Sequence, residues 1–196
     1  AALLPGKYPL STSSFLLENK GGFFEDITDR ICPALRNAGM VTDAVWDDID
    51  DNGLPDLLIT GMWMPLRIFR QFDEGMSELI DNNGFSQYSG WWNCLLPFDA
   101  DGDGDLDLLA GNTGTNFSYR ASLEKPVQLY AKDFDGNGTI DPILCAYMGD
   151  TLFPMVSRDD LLDQINPLKK RFVRYASYAD ATMETIFPNV DLQSAL

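Results

Sequence analysis

Twelve of the thirty acidic residues fall in three nine-residue stretches: DIDDNGLPD at 48–56, DADGDGDLD at 99–107 and DFDGNGTID at 133–141. Each reads D-x-D-x-[DN]-G-x-x-D. Oxygen-bearing side chains occupy loop positions 1, 3, 5 and 9, and glycine occupies position 6. This is chemistry for a hard cation: alternate residues project inward, the glycine permits a sharp turn, and the carbonyl at position 7 adds an oxygen. The expected ligands of the first loop are Asp48, Asp50, Asn52, the Leu54 carbonyl and Asp56, with Asp51 pointing away. In the second they are Asp99, Asp101, Asp103, the Asp105 carbonyl and Asp107, and in the third Asp133, Asp135, Asn137, the Thr139 carbonyl and Asp141. Calcium suits such a set better than magnesium, which demands a strict six-fold shell and keeps its waters. Asn at position 5 gives the first and third loops one charge fewer, so the second is expected to bind most tightly.

Two other readings of the loops fail. An EF-hand needs a bidentate Glu at position 12 and a helix after it; position 12 here is Ile59, Ala110 and Leu144. A plain hairpin turn needs one or two Asp-Gly or Asn-Gly residues, not several acids in nine. Bare carboxylates about 4 Å apart repel by roughly 4 kcal/mol per pair at an effective dielectric near 20, so an ion-free loop should open.

The elements that must hold these loops read as strands. Each loop is preceded by a strand-like run (MVTDAVWD, WWNCLLPFD, PVQLYAKDFD) and followed by a short apolar one (LLITG, LLAGN, PILCA). The unit is therefore a hairpin with an ion at its tip. Residues 1–12 read as an extended lead-in, 14–17 as a strand before a Gly-Gly turn, and 40–90 as a blade-like unit. Its strands fall at 56–63, 66–71 and 76–80 after the one that precedes the loop, and a turn follows at 81–84. The loops start 51 and then 34 residues apart, against the 40–50 residues of a four-stranded propeller blade. The first interval fits a full blade; in the second, one or two outer strands are missing or replaced. From Ser157 the texture turns helical, with capping-box-like starts at Ser157/Asp160 and Ser177/Asp180. The fold expected is mainly β: a partial β-propeller of about three blade-like units over 1–156, then a helical segment over 157–196. The opening AALLPGKYPL carries no Met and the closing DLQSAL reads as cut rather than finished.

Composition excludes several functions. The formal net charge is −16, and no basic patch exists beyond Lys169–Lys170–Arg171, which reads as a solvated helix face, so nucleic acid is not an expected partner. The chain has no histidine, which removes Ser-His-Asp and Cys-His chemistry and most zinc sites. Cys94 and Cys145 lie in apolar runs and are expected as buried thiols, with a bridge between them left open. GNTGTN at 111–116 lacks the Lys and spacing of a phosphate loop. Trp46, Trp63, Trp91 and Trp92 are expected in core or inter-blade packing, with a sugar-stacking surface as the alternative. No membrane span is expected.

The loops with their following strands resemble the FG-GAP/VCBS repeats of integrin-α-like propellers. SSFLLENKGGFFEDIT resembles the blade signature of ASPIC/UnbV-type repeat proteins, and the three loop regions together look like VCBS-repeat surface proteins of bacteria. The likeness covers about 14–185. It implies a calcium-binding β-propeller segment, secreted or on the cell surface, adhesion-like, often within a larger chain, binding a protein or glycan ligand with structural calcium. Such repeats usually close a ring of about seven blades; three loops leave open edges, which implies completion by other sequence or self-association. The alternative is a carbohydrate-active hydrolase or lyase on the same scaffold, which would need two further carboxylates about 5–9 Å apart.

Overall fold

A computed structural model describes residues 7–79 and 84–195. The described chain is mainly β, with antiparallel sheets joined by short helical turns. It forms two compact units, one mainly of Leu10–Gly114 and the other mainly of Thr115–Leu196. The expected boundary at 156/157 falls inside the second unit, where strands and helices share one core. Most of the expected lead-in at 1–6, and the turn at 81–83 with the strand end at Ile80, lie outside the described residues.

The first unit opens with a hairpin of β1 (Leu17–Asn19) and β2 (Phe24–Asp26) around Gly21 and Gly22. A one-turn helix, α1 (Thr28–Ile31), follows. Then β3 (Met40–Asp47), β4 (Asp56–Met64), β5 (Arg67–Phe72) and β6 (Gly75–Glu78) run as an antiparallel meander. β7 (Gly90–Phe98) joins the far end of β4, and β8 (Asp107–Asn112) pairs with β7 at the edge. β4 has neighbours on both edges, which is why DLLITG is apolar without alternation and buried from Asp56 to Gly61. At Gly61 a Cβ would stand 2.1 Å from the Met40 carbonyl oxygen, so β3 and β4 approach there only because the side chain is missing. The similar run DLLAGN in β8 lies at the sheet edge instead, and Leu109 is exposed. Leu57, Ile59 and Phe69 pack with Cys32, Leu35 and Met64 in the first core.

Two side-chain expectations are corrected here, those for Cys94 and Trp46. Cys94 is exposed, because register sets it opposite Gly111, which offers no side chain to cover it. Trp46 alternates outward on β3 and is exposed, while Trp63, Trp91 and Trp92 are half-buried. Trp63 and Trp91 meet edge to face at 5.1 Å, and Trp92 Nε1 donates to the Tyr88 carbonyl at 3.0 Å. None of the four joins the buried cluster.

The second unit is a meander of β9 (Gln128–Lys132), β10 (Asp141–Met148) and β11 (Thr151–Pro154) followed by helical turns. Ile143 and Cys145 of β10 face Leu161 and Leu162 from α2 (Arg158–Gln164), its C-cap Ile165, and Met183 and Ile186 from α3 (Met183–Ile186). Each such side chain contributes about 1.5–3 kcal/mol by leaving water. Burial also pushes the Cys145 thiol up to about 12, so it stays protonated and inert. All three cysteines are free thiols.

Ser157 caps α2 as its sequence suggests, accepting from Asp160 N–H at 3.2 Å. The second helix start is not at Ser177. That hydroxyl donates to the Arg174 carbonyl at 2.6 Å within a 3-10 turn, and the capping box forms at Thr182 and Thr185. Arg171 is not part of a purely solvated basic face: its guanidinium donates to the Ile186 carbonyl at 2.7 Å and to the Thr185 carbonyl, holding the C-terminal end of α3.

Candidate metal centres

Each acidic loop joins the two strands of an antiparallel hairpin, β3–β4, β7–β8 or β9–β10, and all three are built alike. Loop position 9 opens the second strand: Asp56, Asp107 and Asp141 begin β4, β8 and β10 and pair across the hairpin with Asp47, Phe98 and Lys132. The N–H of position 2 donates to this carboxylate each time, Ile49 to Asp56 at 3.3 Å, Ala100 to Asp107 at 2.9 Å and Phe134 to Asp141 at 3.0 Å. The position-1 carboxylate accepts the N–H of the position-6 glycine, Gly53 to Asp48 at 2.7 Å, Gly104 to Asp99 at 3.1 Å and Gly138 to Asp133 at 2.8 Å. Those glycines have φ of 84°, 94° and 85°. Position 4 is left-handed as well, at Gly102 and Gly136 but also at Asp51, where φ is 55°.

The turn carries positions 1, 3 and 9 inward. Oxygens of Asp48, Asp50 and Asp56 lie within 4.8 Å of one another, as do those of Asp99, Asp101 and Asp107, and those of Asp133, Asp135 and Asp141. Position 5 is turned to the backbone: Asn52, Asp103 and Asn137 Oδ1 accept the N–H of Leu54, Asp105 and Thr139 at 2.7, 2.9 and 2.7 Å. So three of the expected carboxylates converge in each loop, and the position-5 side chain also holds in place the residue whose carbonyl the sequence assigns to the ion.

The three trios differ in setting. Asp56 and Asp141 are 0% and 2% exposed, whereas Asp99, Asp101 and Asp107 are all open to solvent. Asp56 is satisfied by the β5 backbone, its Oδ1 accepting Gln71 N–H at 2.8 Å. In the third loop the N–H groups of Gly138, Asn137 and Gly136 hold the Asp133 carboxyl below the usual carboxylate range, while burial pushes Asp141 up. Phe134 of that loop stacks on Phe187 at 4.2 Å, anchoring the loop to the helical turns of its own unit.

Three carboxylates within 4.8 Å cost on the order of 3–4 kcal/mol per pair at an effective dielectric near 20. Among the described residues no Lys or Arg pairs with the second or third trio. In the first, Arg70 Nη1 stands 3.5 Å from Asp50 Oδ2, while Asp50 Oδ1 is buried with no hydrogen-bond partner. An unpaired buried carboxylate oxygen beside two further carboxylates, with oxygen-only donors, fits a hard divalent cation. Arg70, Gln71 and the left-handed position 4 escaped sequence reasoning. The first two belong to β5, and nothing in the chain marks the register that brings them to the loop.

The fold and these sites define a class: antiparallel sheets whose hairpins carry acidic, cation-suited tips. Within it, residues 48–110 match the FG-GAP-like repeat family, a span from the first residue of loop one into β8 beyond loop two. That segment of the chain is similar to the family. No curated protein and no solved structure matches the chain. No helix among the described residues is long and apolar enough to cross a membrane.

Proposed function

We propose that this chain is a calcium-binding segment of a β-propeller of the FG-GAP/VCBS kind, acting outside the cell or at its surface as a non-catalytic module for a protein or glycan ligand. Calcium would be held by Asp48, Asp50 and Asp56, by Asp99, Asp101 and Asp107, and by Asp133, Asp135 and Asp141, with the position-7 carbonyls and position-5 side chains completing each shell. One observation supports this most strongly: three separate loops gather the same trio of carboxylates in the same hydrogen-bonded turn. The ion would neutralise each trio and pin the hairpin tip. Low-affinity oxygen-only sites suit the near-millimolar calcium found outside cells. The four-stranded β3–β6 meander would serve as one blade, and the β8 edge is where further strands of a larger propeller would continue.

The test is calorimetric titration of chelator-stripped protein with calcium. We expect saturable binding near three ions per chain, and a larger loss of affinity from Asp99→Ala than from Asp48→Ala. Absence of saturable binding would remove the proposal.

A further inference from the structure

Resting on the calcium reading of the loops, we propose that Arg70 is a tethered counter-cation of the first loop, held there in the metal-free protein and displaced when a divalent ion enters. The three loops share the hydrogen bonds of positions 2 and 6 and differ at the position-3 carboxylate. In the second and third, the position-3 carboxylate accepts backbone N–H: Asp103 to Asp101 at 3.2 Å and Asn137 to Asp135 at 3.2 Å. In the first, Asn52 N–H goes to Asp48 at 3.1 Å, as Asn137 N–H in the third also goes to Asp133 at 3.0 Å, but Asp50 faces Arg70 Nη1 at 3.5 Å. The pair is half made. Asp50 Oδ1 and Arg70 Nε are both buried and lack hydrogen-bond partners. Buried polar groups left in this state are costly, so the pair is a contact that a better partner for Asp50 replaces. Arg70 belongs to β5, which pairs with β4 immediately after the loop, so the fold rather than the repeat delivers it.

Two consequences follow. A fixed positive charge beside the trio offsets its self-repulsion, so the first loop needs metal less than the others to stay closed. The same charge repels the incoming ion, so the first loop binds it more weakly than its own carboxylates allow. Like-charge repulsion across several ångström amounts to about a tenfold change in affinity even at water's dielectric.

The experiment compares wild type, R70Q and R70K. Calorimetric calcium titration should show one site tightened about tenfold in R70Q, unchanged in R70K, with the gain lost when Asp48→Ala is added. Melting in chelator should show R70Q below wild type and R70K near it, and that penalty should shrink when Asp50→Asn is added, because the uncompensated charge is then gone. If wild type binds calcium but R70Q binds no more tightly, Arg70 is not a competitor and the inference falls alone. If wild type itself binds none, the calcium reading falls and displacement with it. The chelator cycle reads the Arg70–Asp50 coupling in either case, and additive melting effects of R70Q and D50N would overturn the pair.

Discussion

At the scale of single residues, position 4 of the loops carries the clearest mismatch between sequence and backbone. Two loops place glycine where φ is 81° and 75°; the first places Asp51 there at 55°. A left-handed conformation costs a non-glycine residue about 1–2 kcal/mol, partly returned by its lower freedom when unfolded. Asp51 is exposed and stands outside the converging trio. Asp51→Gly should therefore stabilise the protein by about 0.5–1 kcal/mol in urea unfolding, with calcium affinity little changed. A destabilised variant would mean that Asp51 has a role in holding the loop. Much at this scale was legible beforehand: the D-x-D-x-[DN]-G-x-x-D spacing picks out the converging carboxylates, since alternation along a tight turn is a local property. What was not legible depends on distant strands. Arg70 and Gln71 reach the first loop through the β4–β5 register, and Asp107 stands open on β8, beyond which no strand pairs among the described residues.

At the scale of elements, hairpins were readable and their neighbours were not. DLLITG and DLLAGN look alike in the chain, yet one is the buried middle strand and the other an edge, because burial is decided by what pairs on the far side. The closeness of β3 to β4 gives a sharp expectation. A Cβ at Gly61 meets a backbone carbonyl at 2.1 Å, which no rotamer change relieves. Gly61→Ala should destabilise by about 2 kcal/mol or more, as overpacking against backbone does, and should lower the denaturation midpoint; an unchanged midpoint would show that the strands can part without cost. The β1–β2 hairpin and α1 yield a pH-dependence. The Thr28 hydroxyl and N–H, then Arg36, hold the Asp26 carboxyl down to about 2 from its ordinary 3.8. Since the folded-state value is depressed, the ionised carboxylate stabilises the fold above pH about 4, and that contribution is lost as pH falls toward 2. Asp26→Asn should flatten this part of the stability profile, measured by denaturation at stepped pH, and an unaltered slope would contradict it.

At the scale of the whole molecule, the charge of −16 is concentrated where cations are expected: twelve acids lie in the three loops. Two of the loops lie in the first compact unit and one in the second, so each unit carries at least one candidate centre. The helical segment was visible from its Ser157 start, but its partnership with β10 was not, since only the folded sheet shows that Ile143 and Cys145 need a cover. The central claim is that a divalent ion holds the aspartate tips together. It is tested most directly by thermal unfolding with saturating calcium and with excess chelator. An ion at a hundred times its Kd adds about 2.7 kcal/mol per site, and each kcal/mol moves a chain of this size by about 2–4 °C. A fall of at least about 5 °C on chelation is predicted. Melting curves that superimpose in calcium and in chelator would contradict it.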